Sequence, residues 1–180
     1  MTTHIKNAFS IVILAITCAL PGNAQAPKGP LSPSQKASAM IDGASISVTY
    51  DAPSMRGREI FGKLVPYGSV WCPGANWATT ISSHDAGLQI GNLKLLRGVY
   101  ALWILPGKDD FELIVNSDEK AFHLNYQKDK DLGRMKLNLK RLEEPVEQLR
   151  WEIRPGSGNQ ATLALMWEKT DASIPITLLP

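Results

Sequence analysis

From Ala44 onward, apolar and polar residues alternate: Ala44, Ile46, Val48 and Tyr50 are interleaved with Ser45, Ser47 and Thr49. A period of two puts the apolar set on one face of a strand and the hydroxyls on the other. The same alternation returns at Phe111, Leu113 and Val115, at Met135, Leu137 and Leu139, at Leu149, Trp151 and Ile153, and at Leu163, Leu165 and Trp167. These are half-buried strands. The run GVYALWILPG, residues 98 to 107, is continuously apolar, as expected of a central strand covered on both faces, and Pro106-Gly107 ends it in a turn. Gly91-Asn92 sits between two short runs and predicts a hairpin. Pro175 removes a ladder donor and places the last strand at a sheet edge.

Helical spacing occurs once, at Ile60, Phe61, Leu64 and Val65, stopped by Pro66 and Gly68, and predicts one short helix near residues 58 to 65. RLEEPVEQLR, residues 141 to 150, carries Pro145 in its middle and reads as a connecting loop. Many short strands divided by turn signals predict an all-β domain, an antiparallel β-sandwich of jelly-roll-like type.

The N-terminus changes the picture of where the chain works. Lys6 precedes an apolar run from Phe9 to Leu20, then Pro21, Gly22 and small residues follow, which is the pattern of a cleavable signal peptide. The apolar run is shorter than the roughly 20 residues a membrane-spanning helix needs. Cleavage is expected after Ala24, with Ala26 the other small-residue site, giving a secreted or periplasmic protein with no membrane span. Residues 25 to 36, rich in Pro, Ser and Gln, read as a flexible tether, and residues 37 to 180 as a single domain. Losing the signal removes Lys6 and no acid, so 19 basic residues fall by one against 17 acidic ones and the charge falls from +2 to about +1. Such balance provides no surface for nucleic acid.

Of two cysteines, Cys18 leaves with the signal and Cys72 remains without a partner. It is either a packed small residue or a reactive thiol; as a nucleophile it would need a base, His84 or His123, and an orienting group, Asn76 or Asp51. Packing is the preferred reading. His84, in SSHDAG, reads as a solvated turn residue, and His123, in AFHLNY, as a strand residue on the polar face. Neither has a close-spaced second ligand for a metal, and no nucleotide loop or other cofactor motif is present. Arg56 and Arg58 flank Gly57 and can fork onto an anion, or hold their own loop by pairing with Asp51, Glu59 or carbonyl oxygens. Trp103, Trp151 and Trp167 belong to the core set; Trp71 and Trp77 flank a loop and can line a groove. One composite surface results, made of Asp51, Arg56, Arg58, Tyr67, Trp71, Asn76 and Trp77.

The stretch YDAPSMRGREIFGKLVPYGSVWCPGANWATTI, residues 50 to 81, followed by GVYALWILPGKDDFELIVN and a terminal LALMWEKTDASIPI, resembles the bacterial secreted proteins of domain-of-unknown-function family 2911. The resemblance runs from about Ser32 to Leu178 and rests on Pro53-Ser54, Arg56-Gly57-Arg58, Ile60-Phe61-Gly62, Leu64 to Gly68, and Gly74-Ala75-Asn76. It implies a β-rich extracytoplasmic domain and no established activity. It also implies arginines where this chain has Ala52 and Cys72, and an acid where it has Trp77, so any polar site there is more apolar in this chain. The expected role is non-enzymatic: a binding or structural module for a small polar ligand, a glycan or a cell-envelope protein. The alternative is a hydrolase or thiol-dependent enzyme using Cys72 with His84.

Overall fold

The alternation seen in the sequence becomes nine strands in a computed structural model that describes residues 31–180. The expected signal peptide, its cleavage site and residues 25 to 30 lie outside the described residues. The strands are β1 (Ser34–Ile41), β2 (Ala44–Asp51), β3 (Thr79–Ser83), β4 (Gly87–Ile90), β5 (Leu93–Leu95), β6 (Gly98–Pro106), β7 (Phe111–Asn116), β8 (Asp131–Pro155) and β9 (Gln160–Leu179). All pair antiparallel, in the order β1-β2-β3-β6-β7-β8-β9-β4-β5. The chain is all-β, and in hydrogen-bonding terms its strands make one sheet. Ser34 to Lys36, expected in the tether, already belong to β1.

The two long strands explain how one sheet encloses a core. β8 pairs with β7 through Leu137 and then with β9 from Asn138 onward, so it belongs to both halves. Inward residues of both halves meet in one cluster: Ile46 and Val48 of β2, Ile81 of β3, Leu102 and Ile104 of β6, Leu149 and Trp151 of β8, and Leu163, Leu165 and Trp167 of β9. Each such side chain contributes about 1.5–3 kcal/mol by leaving water. A smaller cluster lies on the opposite face of β6, where Trp103 and Ala101 pack with Ile114, Cys72, Ala78 and Ala121. The continuous apolar run of β6 is thereby accounted for, as are the three core tryptophans.

Three local expectations differ from the structure. Residues 58 to 65 form turns rather than a helix; the one helical element among the described residues is a 3-10 turn at Lys128–Lys130. Gly62 has φ +91, outside the right-handed region, and its N–H bonds to Val65 O at 2.8 Å, folding the segment back on itself. Ile60, Phe61 and Val65 are still buried, so the apolar spacing marks a compact turn rather than a helix face. Residues 141 to 150 are not a loop: β8 runs through them, with register shifts between Arg141 and Val146 and between Val146 and Arg150. Pro145 falls inside the stretch where the ladder fails, as its missing N–H requires. Nor does Pro175 mark an edge. β9 pairs with β8 as far as Ser173 and with β4 from Ile176, and Pro175 occupies the handover between them. The edges are β1 and β5.

Candidate functional site

Three segments gather at the β2 end of the sheet. The first leaves β2 at Asp51 and runs against the irregular part of β8, where Met55 N–H donates to Glu147 O at 2.8 Å and Leu149 N–H to Pro53 O at 2.9 Å. It then reverses in a tight turn closed by Arg58 N–H to Met55 O at 3.0 Å. Arg56 and Gly57 at its centre have φ 51 and 72, the left-handed pair a mirror-image turn needs. For arginine this conformation costs about 1–2 kcal/mol. Glu147 helps to hold it, its carboxylate accepting Arg56 N–H at 2.9 Å. Beyond the turn, Glu168 of β9 accepts the N–H groups of Ile60 and Phe61 at 3.2 and 3.4 Å, and Glu168 itself sits at φ 54.

The second segment, residues 70 to 77, is tied to β6 by a pair of bonds between Trp71 and Ile104 at 2.8 and 2.9 Å. Gly74 is packed so closely that a Cβ would lie 2.6 Å from Thr79 Oγ1 and 3.3 Å from Asp51 O. Only glycine fits there. Pro73 O accepts both Thr79 Oγ1 at 2.9 Å and Trp151 Nε1 at 3.1 Å, which anchors the loop to the core. Asn76, at φ 59, donates to Asp51 Oδ2 at 2.8 Å and bridges the two loops.

The third segment, residues 117 to 127, joins through His123 N–H to Asn76 O at 3.0 Å and Ala78 N–H to Ala121 O at 2.9 Å. Its far end is fixed by polar side chains: Asn116 Nδ2 donates to Gln127 O at 2.8 Å, and Tyr126 donates to Asp131, which also pairs with Arg134. Burial and the neighbouring Asp131 carboxylate push the Tyr126 phenol up to about 12.

Between these segments lies a groove of about 420 Å³. Trp71 and Trp167 form part of its lining, their rings stacked with centroids 5.6 Å apart and planes within 15°. Arg56, Arg58 and Ser54 stand on one side, Gly74, Ala75 and His123 on another, with Leu31, Leu64 and Leu124 around them. Among the described residues, no aspartate or glutamate lines it. The arginine side chains bind carbonyls: Arg58 Nε to Met55 O at 2.8 Å and Nη2 to Ser54 O at 2.7 Å, Arg56 Nη2 to Leu31 O at 2.6 Å. Neither forms an ion pair with a carboxylate among the described residues. Of the sequence's two readings for these residues, support of their own loop is what these bonds show.

The seven candidates separate as follows. Arg56, Arg58 and Trp71 line the groove, and Asn76 follows Ala75 at its border. Asp51 is engaged by Asn76. Trp77, 64% exposed, packs edge-on against Phe122 outside the groove. Tyr67 is in a separate hollow with Glu59, Phe61 and Glu168. His123 is not on a strand; it lies in a turn and lines the groove with Leu124. Nothing in the local pattern of AFHLNY signals that placement, because it depends on the bonds to Ala78 and Asn76. Glu168 and Glu147 were equally invisible, since their roles depend on bulges between distant strands.

Cys72 is 1% exposed, and its thiol faces Trp77 O at 3.7 Å. Burial pushes it up from 9.0 to about 11, so at neutral pH it is a neutral thiol. His84 is exposed just past the far end of β3, about 15 Å along the strand from Thr79, the neighbour of Cys72. The two are not a catalytic pair in this geometry. No group of three or more His, Cys, Asp or Glu side chains able to hold a metal occurs among the described residues. No helix among them is long and apolar enough to cross a membrane.

Ala52, fully buried, and Cys72 are both core residues here, so the two places where relatives are expected to carry arginine add nothing polar to the groove. No curated protein matches the chain, and no solved structure does. The match that exists spans residues 32–176, nearly all of the described chain, and it is to the family described as proteins of unknown function, DUF2911, to which this chain belongs.

Proposed function

We propose that the chain is an exported, non-enzymatic binding protein whose ligand sits in the groove between the Arg56–Gly57–Arg58 turn and the Gly74–Ala75–Asn76 loop. The observation that carries this reading is backbone conformation. Besides Asp42 in the β1–β2 turn, the non-glycine residues with positive φ among the described residues are Arg56, Asn76 and Glu168. All three belong to the segments that shape or support the groove. Left-handed conformations in such residues persist where surrounding contacts over-determine them, and they concentrate at ligand sites. The groove is also of the size that small ligands occupy. Catalysis by Cys72 is disfavoured by its burial and its raised pKa.

Native mass spectrometry of the mature protein, taken from the periplasmic fraction of its own cells, tests the reading. A retained small molecule that is lost from Asn76→Ala or Trp71→Ala protein supports it. Protein that emerges bare, or bound only to another chain, overturns it.

A further inference from the structure

Resting on that binding reading, we infer that the ligand is an amphipathic oxyanion: a carboxylate or phosphate carried on an apolar body. Among the described residues, the ionisable side chains lining the groove are Arg56, Arg58 and His123, with no acid among them. A cationic ligand would meet unbalanced positive charge. A neutral sugar would leave two guanidinium groups without the partner their charge favours. An oxyanion supplies it.

The arginines are also held ready. Carbonyl acceptors fix them in place, yet most of the donors on Arg56 and some on Arg58 are not engaged by any of the described residues. A guanidinium positioned by neutral acceptors keeps its full charge for an incoming anion, and fork geometry suits carboxylate and phosphate alike. The apolar half of the ligand is argued from the other walls. Leu31, Leu64 and Leu124 are 71%, 45% and 75% exposed beside the Trp71–Trp167 stack, apolar surface that a chain or ring can cover.

The test uses the mature full-length domain, four probes kept below their micelle concentrations, and tryptophan fluorescence checked by calorimetry. Decanoate and decyl phosphate are expected to bind saturably at one site, while decyltrimethylammonium and decanol do not. Preference between the two anions tells whether the natural head group is a carboxylate or a phosphate. Arg56→Gly removes the guanidinium at a backbone position glycine accepts, and Arg56→Gln removes the charge while keeping a polar side chain. Both variants should fold, as judged by thermal melting, and bind decanoate about tenfold more weakly. Equal binding of the cationic probe, or unchanged affinity in both variants, overturns the inference. Failure of all four probes with a different molecule retained in native mass spectrometry overturns it and leaves the binding reading standing; failure of both experiments removes both. A second copy of the chain seated over the groove, seen as a dimer by sedimentation that decanoate does not dissociate, also overturns it.

Discussion

Raising the pH from 8 to 11 is expected to destabilise the native chain by about 2 kcal/mol through Cys72 alone, out of a limit near 3 kcal/mol. The thiol's pKa moves from 9.0 to about 11 on folding, chiefly because burial penalises the thiolate. Below pH 9 the thiol is protonated in both states and the contribution is complete. Between 9 and 11 the unfolded chain releases the proton and the native chain keeps it, so stability falls as pH rises. Tyr126, raised from 10.0 to about 12, adds a similar loss at higher pH, so the measurement must be a difference. Urea unfolding of the wild type and of Cys72→Ala, followed by tryptophan fluorescence at several pH values, provides it. The gap between the two proteins should close by about 2 kcal/mol from pH 8 to pH 11. Parallel curves would refute the reasoning. So would alkylation of native Cys72 by iodoacetamide at pH 7 at the rate of the unfolded chain, since a side chain 1% exposed reacts only after opening.

Neighbouring arginines should respond differently to substitution. In Arg56→Gly the relief of a strained φ, about 1–2 kcal/mol, opposes the loss of one exposed carbonyl bond and the entropy of glycine, so thermal melting should shift by no more than about 3 °C. Arg58→Ala loses two carbonyl bonds with no strain relieved, about 1–3 kcal/mol in all, and should lower the midpoint by several degrees. Gly62→Ala places a methyl 2.7 Å from the Tyr67 ring at φ +91; a loss of about 2 kcal/mol or more is expected, only part of which Tyr67→Ala restores, because the backbone strain remains. Glu168→Ala leaves the N–H groups of Ile60 and Phe61 without their acceptor at a cost of about 1–3 kcal/mol, and hydrogen exchange at those two amides should accelerate more than at Leu102.

The strands were legible because their signal is local. Ile46, Val48 and Tyr50 face one way by the geometry of an extended chain, and the Gly91-Asn92 hairpin needs only its own residues. The Arg56–Gly57–Arg58 and Gly74–Ala75–Asn76 segments could be picked out for the same reason: glycines beside polar residues announce turns. What stayed hidden depends on partners far along the chain. Ile60 to Val65 carries a helical spacing, but Glu168, more than 100 residues away, takes the first N–H groups and Gly62 turns the chain back. Pro175 signals an unpaired donor correctly, yet a strand that changes partners leaves the same vacancy as a strand at an edge. Tyr67 and Trp77, grouped with the groove by sequence proximity, point elsewhere because the turns between them reverse direction.

The groove is fastened to the irregular stretch of β8. Beside the register shifts of β8, Ser54 and Gln148 form an antiparallel bridge that receives the chain leaving β2. Around that bridge Glu147 O accepts Met55 N–H and Trp167 Nε1, at 2.8 and 3.2 Å, and Leu149 N–H reaches Pro53 O. Glu168, the partner of Val146 between the two register shifts, has φ 54, and its carboxylate accepts the N–H groups of Ile60 and Phe61. Bulges that re-aim side chains and end pairing are common beside functional sites. The arginine turn is thus fastened at both ends to an interruption in the sheet. Glu147 and Glu168 hold the turn without lining the groove, so substituting either is expected to disturb the groove through the position of its arginines.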